Sequence, residues 1–199
     1  AASDVYKRQI LGGTDLELQI LHWFESLHNS VLNPVMYFFT CLGEKGILWI
    51  MLALLCITVF YKKYGKAGFT MALSLVFSLI LCNLIMKNAF ARVRPFVVDD
   101  SFENLYNVFA TITDWSFPSG HSSASFAAAT AMFMWRKREG AVALIAAALI
   151  SISRLYLTVH YPTDVLAGVV IGCICGIAAY YTVKFIITHR RLKDARNNT

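Results

Sequence analysis

Three short stretches of this sequence gather residue types that handle charged substrates: Lys87 to Pro95 (KNAFARVRP), Pro118 to His121 (PSGH) and Ser153 to Asp164 (SRLYLTVHYPTD). Lys87, Arg94 and Arg154 supply positive charge. Arginine also offers planar, multidentate N–H donors that match phosphate oxygens. Gly120 permits close approach of backbone, and a helix starting there would add unpaired N–H groups and the positive end of its dipole. With a hydroxyl donor at Ser119, these groups make an oxyanion cradle. Two imidazoles accompany it. His160 precedes Asp164 by four residues, across Tyr161, Pro162 and Thr163, and Pro162 suits the first turn of a helix. In such a turn Asp164 can accept from one ring nitrogen of His160 and leave the other facing substrate, as a base and its orienter do in covalent catalysis. A neutral imidazole held this way is a nucleophile toward phosphorus. His121, beside the cradle, is placed to protonate a leaving oxygen.

The elements that position these groups belong in a membrane. Of 199 residues, 57% are hydrophobic and only 15% charged, and the mean hydropathy is +0.56. Soluble domains carry about 25% charged residues. The runs 67–86 and 165–183 hold no charge, and a helix of about 20 apolar residues spans a bilayer. The spacing predicts five crossings, at roughly 46–61, 66–90, 120–136, 139–159 and 163–186. The expected fold class is therefore all-α, a polytopic transmembrane helical bundle. Small residues at 127–131 and 146–148, and Gly168, Gly172 and Gly176 at four-residue spacing, would let its helices approach closely. Ahead of the crossings, residues 14–29 read as an interfacial amphipathic helix, with Thr14 and Glu17 as a capping box. The segment 33–42 is apolar but too short to span. We expect a flexible lead-in at 1–13, one membrane-embedded domain at 14–187 and a basic cytoplasmic tail at 188–199.

The formal charge of +6 does not point to nucleic acid. Its basic residues cluster at Lys62, Lys63 and Lys66, at Arg136, Lys137 and Arg138, and from Lys184 to Arg196, beside apolar runs, as the positive-inside rule predicts. The loop 95–118 carries Asp99, Asp100, Glu103 and Asp114 and, between its prolines, no Lys or Arg, so it is expected outside. Alternation then delivers the ends of four crossings, with all three polar stretches, to one outer face. Arg154 is the sharpest case, because apolar residues surround it and a charge near hydrocarbon is costly. With no acidic cluster to neutralise them, Lys87, Arg94 and Arg154 call for an anionic ligand. The five cysteines, Cys41, Cys56, Cys82, Cys173 and Cys175, match no thiolate metal spacing and read as small core residues. His22, His28 and His189 read as structural or solvated.

Taken together, Lys-x6-Arg-Pro, Pro-Ser-Gly-His and Ser-Arg-x5-His-x3-Asp resemble the signature of the type 2 phosphatidic acid phosphatase superfamily, which includes bacterial undecaprenyl-diphosphatases and vanadium haloperoxidases. The resemblance covers about residues 30–187, with every motif matched in order. It implies a phosphatase in which His160 is the nucleophile and forms a phosphohistidine, Asp164 orients it and His121 protonates the leaving group. Lys87, Arg94, Ser119, Gly120 and Arg154 would bind the phosphate, with no metal and no other cofactor. Arg92 lies outside the fixed pattern and is left as an accessory candidate. The resemblance also implies a multi-pass protein of the bacterial plasma membrane acting on a lipid phosphate at the extracytoplasmic face. Undecaprenyl pyrophosphate is the leading substrate, with phosphatidic acid and phosphatidylglycerol phosphate next. A lipid-phosphate or anion transporter would also use intramembrane cations, but no inverted repeat is evident and the His160–Asp164 pair counts against it. A vanadate-dependent haloperoxidase would share the cradle, but not the many spans.

Overall fold

A computed structural model describes residues 14–197, so the lead-in expected at 1–13 lies outside the described residues. Among the described residues the regular elements are helices alone: α1 (Asp15–Glu25), α2 (Leu32–Leu42), α3 (Ile47–Thr58), α4 (Tyr61–Ser78), α5 (Gly120–Trp135), α6 (Lys137–Tyr156) and α7 (Pro162–Asn197), with short helical turns between them. Local chemistry sets their ends. Thr14 and Glu17 form the capping box of α1 in both directions. Asn29 Oδ1 accepts from the N–H groups of Val31 and Leu32 as α2 begins. Pro162 opens α7, where its missing N–H costs no helical bond.

The central element is α5. Its buried face is built from small residues, including Ser122, Ser123, Ala127, Ala128 and Ala131, and α7 packs against it. A Cβ on Gly168 would lie 2.6 Å from Ser119 O, one on Gly172 would lie 2.5 Å from Ser123 O and one on Gly176 would lie 2.8 Å from Ala127 O. No side chain fits at those distances, so the four-residue glycine ladder brings two helix backbones into contact, as its spacing predicts. Hydrogen bonds tie further helices to α5, from Trp49 Nε1 to Ser125 Oγ at 2.9 Å and between the Ser78 and Ser123 hydroxyls at 2.7 Å.

The crossings differ from the sequence reading in detail. Among the described residues three helical segments are long and apolar enough to span: Tyr61–Val98, Lys137–Tyr156 and Pro162–Asp194. Segment 33–42 does not stand apart from the first expected crossing. Leu32–Leu42 and Glu44–Thr58 are joined across a break with a 43° bend, and together make a fourth candidate span. The reason is the turn Glu44–Gly46, where Lys45 (φ 49°) and Gly46 (φ 69°) adopt left-handed backbone that ends one helix and starts the next. The third expected crossing, α5, has 16 residues, a length of about 24 Å against a hydrocarbon core of about 30 Å, and is wrapped by its neighbours. The C-terminal tail is a continuation of α7, helical to Asn197.

Two further features position the site. Beyond Ser78, α4 continues as a π-helical stretch over Leu79–Met86 and one α-turn over Lys87–Phe90. A π-helix carries more residues per turn, so it shifts the register of everything after it, Lys87 included. Meanwhile α1 lies across the end of the bundle with Leu16 and Trp23 exposed and Glu17 buried, which turns an acidic side chain toward the interior.

Candidate active site

The ends of α4 and α6 and the starts of α5 and α7 meet around a cavity of about 1150 Å³. Lys87, Arg94, Gly120, His121, Arg154 and His160 line it. Segments far apart in the chain thus converge as the sequence predicts. Ser119 and Asp164, both 0% exposed, lie behind this lining. Ser119 caps α5, its Oγ accepting from Ser122 N–H at 3.4 Å, and its own N–H donates to Asp164 O at 3.0 Å, pinning the two helix starts together. From the site the cavity runs on between α3 and α4, past Ile50, Leu54, Leu75, Val76 and Leu79.

His160 sits in the loop between α6 and α7 and is 1% exposed. Its Nδ1 faces Asp164 Oδ2 at 3.5 Å, longer than a good hydrogen bond, and Ser116 Oγ at 3.4 Å. Ser116 Oγ itself donates to Asp164 Oδ2 at 2.5 Å. The orienting group is thus a serine–aspartate pair rather than the aspartate alone. Nε2 lies 3.3 Å from Arg94 Nη1, an N–H donor, so the geometry suits a proton on Nδ1 and a lone pair on Nε2. Burial first, then the charges of Arg94, Arg154 and Lys87, push the imidazole well below its usual range. The ring is neutral at working pH, as a nucleophile requires.

The cations are not free of acids, which corrects the expectation that no carboxylate neutralises them. Asp114, from the loop before α5, pairs through Oδ2 with Lys87 Nζ and through Oδ1 with Arg94 Nη2, the latter at 2.6 Å. Burial opposes its charge, but the hydrogen bond and field of Lys87, and then Arg94, outweigh this and hold the carboxyl down at about 2. Asp114 is therefore an anion throughout the working range, and it occupies the cations that an oxyanion in the cavity would need. We expect Asp114→Asn to relieve this competition, so that inorganic phosphate inhibits about tenfold more tightly. Inhibition unchanged or weakened in steady-state assays would show that the carboxylate only positions the cations. Arg154, 4% exposed, donates to Thr40 Oγ1, and its buried Nε has no hydrogen-bond partner among the described residues. A buried donor without an acceptor is costly, and an oxyanion in the cavity would satisfy it. Among the described residues no three of His, Cys, Asp or Glu converge as a metal-ligand set.

Several groups at the site lie outside the sequence motifs. Ser116 and Asp114 lie in the loop 95–118, whose sequence marks it only as acidic and outside. Arg92, outside the motif, donates to Asp164 Oδ1 at 2.6 Å and to Glu17 Oε2 at 2.7 Å, and its guanidinium stacks on Tyr161 at 3.9 Å. Glu17 Oε1 also accepts from Thr163 Oγ1 at 2.5 Å. The amphipathic helix is thereby linked to the residue that orients His160. Glu44 joins them, with its Oε2 3.5 Å from His121 Nε2.

Comparison with known proteins identifies the family. The family model of the PAP2 superfamily matches residues 64–187. An undecaprenyl-diphosphatase from Sulfolobus acidocaldarius is 34% identical over 145 residues, covering 72% of this chain and 66% of that protein, just under two thirds of its length. The undecaprenyl-diphosphatase BcrC of Bacillus subtilis is 31% identical over 156 residues, 76% of this chain and 75% of that one. Among solved structures, LpxE of Aquifex aeolicus superposes with a TM-score of 0.71 at 25% identity, covering 86% of this chain and 98% of that one.

Proposed function

Since the chain belongs to the PAP2 superfamily, we propose that it is a multi-pass membrane phosphatase that removes phosphate from a lipid, with undecaprenyl pyrophosphate as its leading substrate. The observation that carries the reading is the buried His160, its Nε2 3.3 Å from Arg94 Nη1, in a cavity that also holds Lys87, His121 and Arg154. The phosphate displaces Asp114 and is held by Lys87, Arg94, Arg154 and the N–H groups at the start of α5, with Gly120 leaving room for it. His160 Nε2 attacks phosphorus. The bond to the leaving oxygen breaks as His121 protonates it, and the lipid product departs. His121, now neutral, takes a proton from water, whose oxygen attacks the phosphohistidine. Inorganic phosphate leaves and both histidines return to their starting states. The cations stabilise the charge that develops on phosphorus oxygens in both steps.

The choice of substrate is supported by the two undecaprenyl-diphosphatase relatives and by the apolar extension of the cavity between α3 and α4, which suits a long hydrocarbon tail. The positive-inside pattern supports a site on the extracytoplasmic face. The test is phosphate release by purified protein in detergent with EDTA present, from undecaprenyl pyrophosphate, phosphatidic acid, phosphatidylglycerol phosphate and a soluble sugar phosphate. EDTA-resistant release, with kcat/KM highest for undecaprenyl pyrophosphate, is expected. A higher kcat/KM for another lipid reassigns the substrate. Folded protein that releases phosphate from none of them rules the reading out.

A further inference from the structure

The proton donor of this mechanism stands in an unfavourable electrostatic position. His121 must carry a proton when the leaving oxygen departs, yet its burial disfavours the charged form, and Arg154 from α6 and Lys87 from beyond the end of α4 act on it as like charges. The other groups around it are no help. His160 is neutral, Asp114 is engaged by Lys87 and Arg94, and Lys45, from the turn before α3, lines the same cavity as a further cation. Among the described residues the carboxylate facing the ring is Glu44, whose Oε2 is 3.5 Å from His121 Nε2.

The turn that carries Glu44 is shaped for this approach. A Cβ on Gly43 would lie 2.8 Å from His121 Cδ2 and 2.6 Å from Ile150 Cγ2, so only glycine lets this backbone press against the imidazole. The chain then passes through two left-handed residues, Lys45 (φ 49°) and Gly46 (φ 69°). Left-handed backbone at a lysine is strained, and such strain collects where function demands a particular chain path. Glu44 remains in contact with the cavity, its side chain 57% exposed.

We propose that Glu44 is a positioning residue that keeps His121 protonated and aimed at the leaving oxygen. This rests on His121 being the proton donor. Glu44 touches no reacting atom. It offsets part of the field of Arg154 and Lys87, and so raises the pH up to which the donor keeps its proton.

The experiment is the pH profile of kcat for undecaprenyl pyrophosphate hydrolysis by the full chain, in wild type, Glu44→Gln, Glu44→Asp and His121→Ala, with melting temperatures to verify folding. Glu44→Gln is close in size and shape. It is expected to move the alkaline limb, which reports loss of the donor's proton, down by about one pH unit, and to leave the acid limb in place. Glu44→Asp is expected to restore part of the shift. An alkaline limb that does not move, or a uniform loss at every pH, overturns the proposal while leaving the phosphatase reading intact. His121→Ala separates the two ideas. It is expected to lose about a hundredfold in kcat. A His121→Ala protein that keeps the wild-type rate and profile removes the proton-donor role, and with it the role of Glu44, whereas the nucleophile is judged on its own variant.

Discussion

A His160→Ala protein is expected to lose lipid phosphate hydrolysis by about four orders of magnitude or more, the largest effect of any substitution in this chain. The reason is geometric. His160 is the imidazole whose Nε2 stands beside the Arg94 donor inside the cavity while its Nδ1 faces the Ser116–Asp164 pair, and alanine offers no lone pair in its place. The residual cradle of Lys87, Arg94 and Arg154 would still bind substrate, so binding should fall far less than turnover. Two measurements check this. Phosphate release measures the rate, and a rapid base quench with labelled substrate should trap an acid-labile phosphoenzyme in wild type and none in the variant. Activity retained in His160→Ala, or a phosphoenzyme formed on another residue, would overturn the mechanism.

The second large effect is expected from Arg94→Lys, a substitution that keeps the charge. Arg94 Nε donates to Asp114 O at 2.9 Å, Nη1 to Val159 O at 2.7 Å, and Nη2 to Asp114 Oδ1 at 2.6 Å and Trp115 O at 3.3 Å. One planar group therefore ties the loop before α5 to the backbone next to His160 and also presents Nη1 to the nucleophile. A lysine ammonium is a point donor on a flexible stem and cannot make this fork. Carbonyls of Asp114, Val159 and Trp115 would be left short of donors in a buried site, at about 1–3 kcal/mol each where no water replaces the bond. We expect kcat/KM to fall by about two to three orders of magnitude and the melting temperature to fall with it. A variant with normal kcat/KM and a lowered melting temperature would show that Arg94 serves the fold alone.

Much of this architecture was legible in the chain. Lys87, Arg94, His121, Arg154 and His160 converge because each stands at one end of an apolar run, and in an alternating topology the end of one run and the start of the next share a face. The glycine ladder Gly168, Gly172, Gly176 was equally readable, since four-residue spacing repeats along one side of a helix. These are local signals, carried by spacing and hydropathy, and the bilayer converts them into three-dimensional order. The groups that complete the site carry no such signal. Lys87 and Asp114 are 27 residues apart, Ser116 and Asp164 are 48 apart, and Glu17 and Arg92 are 75 apart. No periodicity links the members of these pairs. They meet because the loop before α5 folds back over the cavity and because α1 lies with Glu17 turned inward. The same holds for the bend that merges α2 with α3, where left-handed residues redirect the chain, and for Glu44, which reaches His121 only because Gly43 lacks a side chain. Sequence alone determined the membrane bundle, the cationic cradle and the pair of histidines, because hydrophobic length and motif spacing act within one helix at a time. Tertiary structure alone decided which carboxylates and hydroxyls sit beside those cations and imidazoles, because side chains separated by whole helices are brought within hydrogen-bonding range only by the closed packing of the bundle.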